Sequence, residues 1–226
     1  MKQQTRLLAL GTLFVFFSLH QQAQAQAEDV PRFEIGAQFS SLTIREPSFG
    51  NVRTEPGFGG RATFNFTDYL AAEAQVDFYP NDSRRESVSS GGRTTTGLFG
   101  VKAGKRFERF GVFGKVRPGF VHFARTISGF SVDPNSLPSQ FPFIVREFRA
   151  RTEFAIDIGG VLEFYPTRRI VTRFDIGDTI IRYKERTIMF PTFAPGPPPI
   201  TGVVFSTRPS ETKHSFQFSA GIGFRF

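Results

Sequence analysis

The last thirteen residues, His214-Ser215-Phe216-Gln217-Phe218-Ser219-Ala220-Gly221-Ile222-Gly223-Phe224-Arg225-Phe226, limit the folds open to this chain more than any other stretch. Phe216, Phe218, Ala220, Ile222, Phe224 and Phe226 make one uninterrupted apolar row, with Gln217, Ser219, Gly221, Gly223 and Arg225 between them. Successive side chains of a strand point to opposite faces, so this is a strand with one apolar face and one polar, small-residue face. A soluble sandwich strand has the same period. The unbroken length of the apolar row and the aromatic residue that closes it set this strand apart.

Seven earlier segments repeat the pattern, at Arg32 to Thr43, Gly57 to Thr67, Leu70 to Tyr79, Thr96 to Phe107, Phe110 to Phe123, Arg151 to Tyr165 and Ile170 to Ile181. The connections between the eight segments alternate in length. Thr67-Asp68-Tyr69, Glu108-Arg109 and Pro166-Thr167-Arg168-Arg169 are tight, whereas residues 44–56, 80–95, 124–150 and 182–213 are long and rich in Ser, Pro, Arg and Gly. Short turns on one side and long loops on the other are the rhythm of a membrane-spanning barrel. Pro118 is the misfit, because a proline lacks the amide that a closed sheet needs, and it is expected at a bulge or near the outer rim.

At the other end, Lys2 and Arg6 precede an apolar run from Leu7 to Leu19, followed by Ala23-Gln24-Ala25-Gln26-Ala27. That is the charged, apolar and small-residue order of a cleavable secretory signal peptide, and the run is short for a spanning helix. Residues 1–27 are therefore read as a signal peptide and 28–226 as one β-barrel domain. Without Lys2 and Arg6, 26 basic residues stand against 20 acidic ones. The chain has no cysteine, so packing and ladder hydrogen bonds carry its stability in an oxidising compartment. The slightly negative mean hydropathy of −0.18 is compatible with a small membrane barrel, whose lumen and loops are polar. Thirty Phe and no Trp make Phe the main source of any interfacial aromatic girdle.

A lipocalin-type soluble barrel also alternates, but it buries its apolar face. Here the charged face carries most of the strand glycines, which suits a crowded lumen better than a solvent face. On the signal peptide, the strand alternation, the turn–loop rhythm and the terminal Phe226, the chain resembles the small bacterial outer-membrane β-barrel superfamily, the group that includes the membrane domain of outer-membrane protein A. The resemblance implies an all-β fold, an eight-stranded antiparallel up-and-down transmembrane β-barrel with four long outer loops, in the bacterial outer membrane. It also implies that the barrel-assembly machinery reads the apolar row ending in Phe224 and Phe226. The family's peptidoglycan-binding domain is not expected after the eighth segment.

By parity, the inward rows hold Glu34, Arg61, Glu73, Asp77, Lys102, Lys115, Arg117, Glu153, Asp157, Glu163, Arg173, Asp175 and Arg225, seven acids and six bases. Eight strands leave an interior about wide enough for side chains, and an unpaired buried charge costs several kcal/mol, so these groups must pair. Alignment about the tight turns predicts Arg61 beside Glu73 and Asp77, Glu163 beside Arg173, and Glu34 meeting Arg225 at the closure. Lys102 and Lys115 fall opposite one another and require acids from across the lumen, with Glu153 and Asp157 as candidates.

No catalytic, cofactor-binding or metal site is predicted. His122 and His214 both fall on the apolar row, on strands far apart, and are expected at the outer lipid interface. Basic residues dominate the loops, among them Arg45, Arg53, Arg84, Arg85, Arg93, Arg125, Arg146, Arg149, Lys184, Arg186, Arg208 and Lys213. Nothing resembling a base-stacking motif accompanies them, so nucleic acid is not expected as a partner; outer-membrane lipid and lipopolysaccharide phosphates are. The reading is a monomeric, non-enzymatic protein with a salt-bridged, plugged lumen and a structural or surface-interaction role. A small porin-like channel and a barrel enzyme acting on lipid or peptide are the alternatives.

Overall fold

Alternating apolar rows lead directly to ladders whose ends join. The computed structural model describes residues 31–45, 52–80, 92–133, 144–194 and 200–226; the expected signal peptide lies outside them. Eight strands form the wall: β1 (Phe33–Arg45), β2 (Val52–Asn65), β3 (Leu70–Tyr79), β4 (Thr94–Arg106), β5 (Phe110–Val132), β6 (Ile144–Phe164), β7 (Ile170–Tyr183) and β10 (Glu211–Arg225). Two further strands, β8 (Arg186–Ala194) and β9 (Ile200–Arg208), lie between β7 and β10. Each wall strand pairs antiparallel with its chain neighbours, β10 pairs with both β7 and β1, and β4 pairs with β5, so the ring closes without a free edge. The expected eight-stranded up-and-down barrel is what the chain forms.

Two of the three tight turns share one device. Thr67 Oγ1 accepts a hydrogen bond from the Leu70 amide at 3.1 Å, and Thr167 Oγ1 accepts one from the Ile170 amide at 3.1 Å. A threonine hydroxyl here takes the place of a backbone carbonyl at the start of a turn.

On the outward rows, side chains such as Ile35, Phe58, Phe99, Ile158, Ile176 and Ile222 are exposed, and the inward rows are buried. Strong exposure of large apolar groups over a whole closed wall is the pattern of a lipid-facing surface.

The strands run beyond their expected ends on the loop side. β1 continues to Arg45, β2 starts at Val52, β5 reaches Val132 and β6 starts at Ile144, so much of the expected loops 44–56 and 124–150 is ladder. Past the lipid the outward row turns polar and apolar groups such as Leu42 and Ile44 move to the inward row, so the lipid-facing apolar signal ends while backbone pairing continues. The expected loop 182–213 contains the β8–β9 hairpin, which touches β5 through a parallel bridge at Gly129 and Met189 and through the Phe130 and Phe190 rings, 4.9 Å apart. The proline-rich residues 195–199 lie outside the described residues.

Pro118 departs from its expected place. It sits within β5 opposite Ile156 of β6, with no register shift there; the β5–β6 shifts lie further up, between Phe123 and Thr126 and between Ile127 and Gly129. Its effect is on the other side. The β4–β5 ladder runs to Leu98↔Gly119, resumes at Val101↔Val116 in the same register, and lacks the two pairs between. The missing amide opens a gap in one ladder, and the intact pairs on either side hold the register.

Candidate functional site

The wall strands bring all thirteen predicted inward charges to the interior, each at most 7 % exposed. Glycine makes room for them. A Cβ on Gly177 would lie 2.7 Å from the Asp157 carboxylate, and one on Gly59 would collide with the Asp77 carboxylate, so larger residues at either position would displace an acid.

At the turn end, the closing pair Glu34↔Arg225 is also an ion pair, with Arg225 Nε 3.3 Å from Glu34 Oε1. Arg106 Nη2 reaches the same oxygen at 3.3 Å and Asn65 donates to it at 3.0 Å. Arg106 Nε donates to the Tyr165 hydroxyl at 3.0 Å, which donates to Glu163 at 2.9 Å, and Arg225 stacks over the Tyr165 ring at 4.4 Å. In this turn beyond β6, burial and then the Glu163 carboxylate push the Tyr165 phenol above its ordinary range, so it stays a donor.

Arg173 is the hub of the middle layer. It binds Asp175 through two bonds of 2.7 and 2.8 Å, Glu73 Oε2 at 2.9 Å and Glu163 at 3.3 Å. Lys102 bonds Glu163 directly and lies 3.6 Å from Glu73. Lys115, its cross-strand neighbour, lies 3.0 Å from Asp157 and 3.2 Å from Asp175. Arg117 donates to Asp157 at 2.6 and 3.0 Å and to Gln75 at 2.5 Å. Fork-shaped guanidinium contacts to carboxylates are the stronger class of such bonds.

Arg61 differs from its expected pairing. Its cross-strand partner on β3 is Gln75, and its ion pair is with Asp175 across the lumen at 3.7 Å. Asp77 has no ion pair among the described residues; it accepts from the amides of Gln38 at 2.8 Å, Gln75 at 2.5 Å and Gln217 at 3.4 Å. The carbonyls of Gln38 and Gln75 in turn accept from Arg61 and Arg117. Two glutamines thus relay two guanidinium groups to one carboxylate. Glu153 likewise does not reach either lysine: it pairs with Arg151 and accepts from the Lys184 amide at 3.1 Å, whereas Asp157 does bind Lys115.

Several inward groups escape the sequence reading. Arg106 lies two residues beyond Gly104 on the inward row, and Glu55, paired with Arg53 at 2.9 Å, lies two before Gly57. Arg106 falls within the segment Thr96 to Phe107, where parity carried one step further finds it, and Glu55 requires the second segment to start two residues earlier. The larger omission is apolar: Leu42, Ile44, Tyr79, Val121, Phe123, Ala155, Ile181 and Tyr183 form a buried cluster at the loop end of the lumen. The interior is therefore ionic from the turn end to the middle and mainly apolar above, where Glu55 and Glu153 lie opposite Leu42 and Val121.

Phe224 and Phe226 stand on the outward row, 58 % and 70 % exposed. Phe226 exchanges backbone hydrogen bonds with Phe33 at 2.8 and 3.3 Å, which places the last residue in the closing seam. Of the basic loop residues, Arg84 and Arg85 lie outside the described residues; Arg125 packs over the Phe148 ring at 3.7 Å and Lys213 pairs with Glu211. Among the described residues, no group of three or more His, Cys, Asp or Glu side chains is placed to hold a metal ion.

A closed antiparallel ring with an apolar exterior and an ionic interior defines a transmembrane β-barrel. Residues 11–226 match the family model described as outer membrane protein beta-barrel domain, and the chain belongs to that family. Solved structures similar to it include the attachment invasion locus protein Ail of Yersinia pestis, at TM-score 0.49 and 12 % identity over 87 % of this chain and 99 % of that one. Neisserial surface protein A gives TM-score 0.48 and 12 % identity, covering 86 % and 97 %, and the N-terminal barrel of Pseudomonas aeruginosa OprF gives 0.41 and 11 %, covering 85 % and 97 %. No curated protein sequence matches the chain significantly.

Proposed function

We propose that the protein is a non-enzymatic outer-membrane barrel whose lumen is a plug, with a structural or surface-interaction role carried by its outer side. The observation that supports this most is the composition of the interior, where cross-linked ion pairs are capped by a buried apolar cluster. Paired charges tie the wall together instead of lining a water path. The carboxylates best placed for acid–base work are engaged as well, Asp157 by Arg117 and Lys115, and Glu153 by Arg151.

In this reading residues 1–27 are an export signal, 28–226 is the mature barrel, and the turn end faces the periplasm. The apolar row that ends in Phe224 and Phe226 is what assembly machinery recognises. The cationic loops meet anionic lipid headgroups, lipopolysaccharide phosphates included, and the barrel acts as a monomer. Swelling of liposomes that hold the purified protein in small sugars or amino acids tests the plug: swelling no faster than protein-free liposomes is expected, and size-limited solute entry would make the barrel a pore.

A further inference from the structure

The outward row of β7 runs Ile170, Thr172, Phe174, Ile176 and then Asp178, a carboxylate among lipid-facing groups. Its cross-strand neighbours are Ile158 on β6 and Phe216 on β10, exposed by 47 % and 52 %. At about 3.4 Å per residue and about 40° of tilt, Asp178 stands about 21 Å above Ile170, near the outer margin of an apolar band about 25 Å tall.

Asp178 is tied to β10. Its Oδ2 lies 2.5 Å from His214 Nδ1 and its Oδ1 accepts the Ser215 amide at 3.0 Å. With Nδ1 committed to the carboxylate, the outward nitrogen of His214 is Nε2, and the side chain is 69 % exposed. Four residues beyond Asp178 on the same face of β7 is Arg182, opposite Thr212 of β10 and diagonal to His214. Arg182 is exposed and has no carboxylate or other acceptor among the described residues. Diagonal cross-strand neighbours are about 7–8 Å apart at the backbone, a span that one phosphate bridges through hydrogen bonds of about 2.8 Å to each side.

The geometry points to a binding site for the phosphate of an outer-leaflet lipid, formed by the Arg182 guanidinium, His214 Nε2 and the Thr212 hydroxyl. Asp178 is the positioning residue, fixing the imidazole as second-layer carboxylates fix metal-bound histidines. The site lies where the apolar rows of β7 and β10 end, the height of a headgroup when the loops face outward. This inference rests on that orientation and on the proposed lipid partner, and it deepens both by naming the site. His122 supplies an internal control. It too lies just past an apolar row and has Arg93 at the diagonal position beyond Thr95, but its ring bonds Thr152 Oγ1 at 2.8 Å and no carboxylate among the described residues holds it.

Dihexanoyl phosphatidic acid, titrated into the folded protein in a non-ionic detergent, tests the assignment by calorimetry and by the ¹⁵N shift of the His214 ring. Saturable binding that moves the Nε2 signal is expected. Arg182→Ala and His214→Ala should each weaken it roughly tenfold or more, and Asp178→Asn by a smaller factor, with His122→Ala neutral. Arg182→Gln repeats the first test with less change at the surface, and the heat-modifiable shift of each variant reports its folding. Equal binding by wild type and the Arg182 and His214 variants would overturn the site. Equal affinity for inorganic phosphate would overturn the lipid as its source. Neither result bears on the plug, which solute entry decides separately.

Discussion

Arg173 shows why lumen charges are held so tightly. Its guanidinium touches Asp175, Glu73 and Glu163, and no other described cation touches all three. Removing one member of such a buried network leaves partners uncompensated, so Arg173→Ala should destabilise the barrel by about 3–5 kcal/mol, read from urea unfolding in detergent. Asp77→Asn should cost clearly less, because Asp77 is held by neutral amides and loses no ion pair; an equal loss would contradict the relay through Gln38 and Gln75. Side-chain parity is simple enough to be read from the sequence, and it put thirteen charges on the face that turns out to be buried. Pairing across the lumen is not. Arg61 meets Asp175 of β7 instead of its neighbours on β3 because a long side chain in a narrow lumen reaches across it, a distance that register along the chain does not encode. The amides of Gln38, Gln75 and Gln217 were invisible for a related reason, since a search for charges passes over the neutral groups that connect them.

Among the elements, β5 carries two lessons. Its 23 residues include the gap beside Pro118 and two register shifts above it. If the proline alone opens the β4–β5 ladder, Pro118→Val should restore a pairing hydrogen bond and add about 0.5–1.5 kcal/mol, with slower amide exchange around Phe99 and Gly100. Unchanged exchange at those amides would locate the cause elsewhere, in the close glycine packing of the two strands. The lipid-facing side of β6 makes the complementary prediction: at Leu162, opposite Phe174 and near mid-bilayer depth, Leu162→Arg should cost about 2–4 kcal/mol, whereas Leu162→Ile should be nearly neutral in the same unfolding measurement. The eight wall elements were legible because burial on one face and lipid on the other enforce a period of two. Their loop-side ends and the β8–β9 hairpin were not, because above the membrane the ladder continues while the outward row turns polar and the apolar groups move to the inward row.

For the whole molecule the fold follows from repetition. Eight alternating rows need a surface that welcomes Phe and Ile on the outside, and closure through β1–β10 and β4–β5 leaves the wall without an edge. The opposite face then becomes a narrow interior that eight strands barely keep open, and its charges must find one another. What the sequence did not disclose is the layering. Leu42, Tyr79, Val121, Phe123 and Ile181 stand on inward rows near the loop end, inside the segments read from the sequence, where a reading of those rows for charged groups passes over them. The central claim, a closed lumen, is tested most directly by single-channel recording of the folded protein in a planar bilayer, alongside Arg117→Glu and Lys102→Glu. A plugged barrel predicts a flat wild-type baseline with no steady conductance steps, and leaks, if any, only in the destabilised variants. Reproducible ion-selective steps in the wild-type protein, with a selectivity that either substitution shifts, would contradict it.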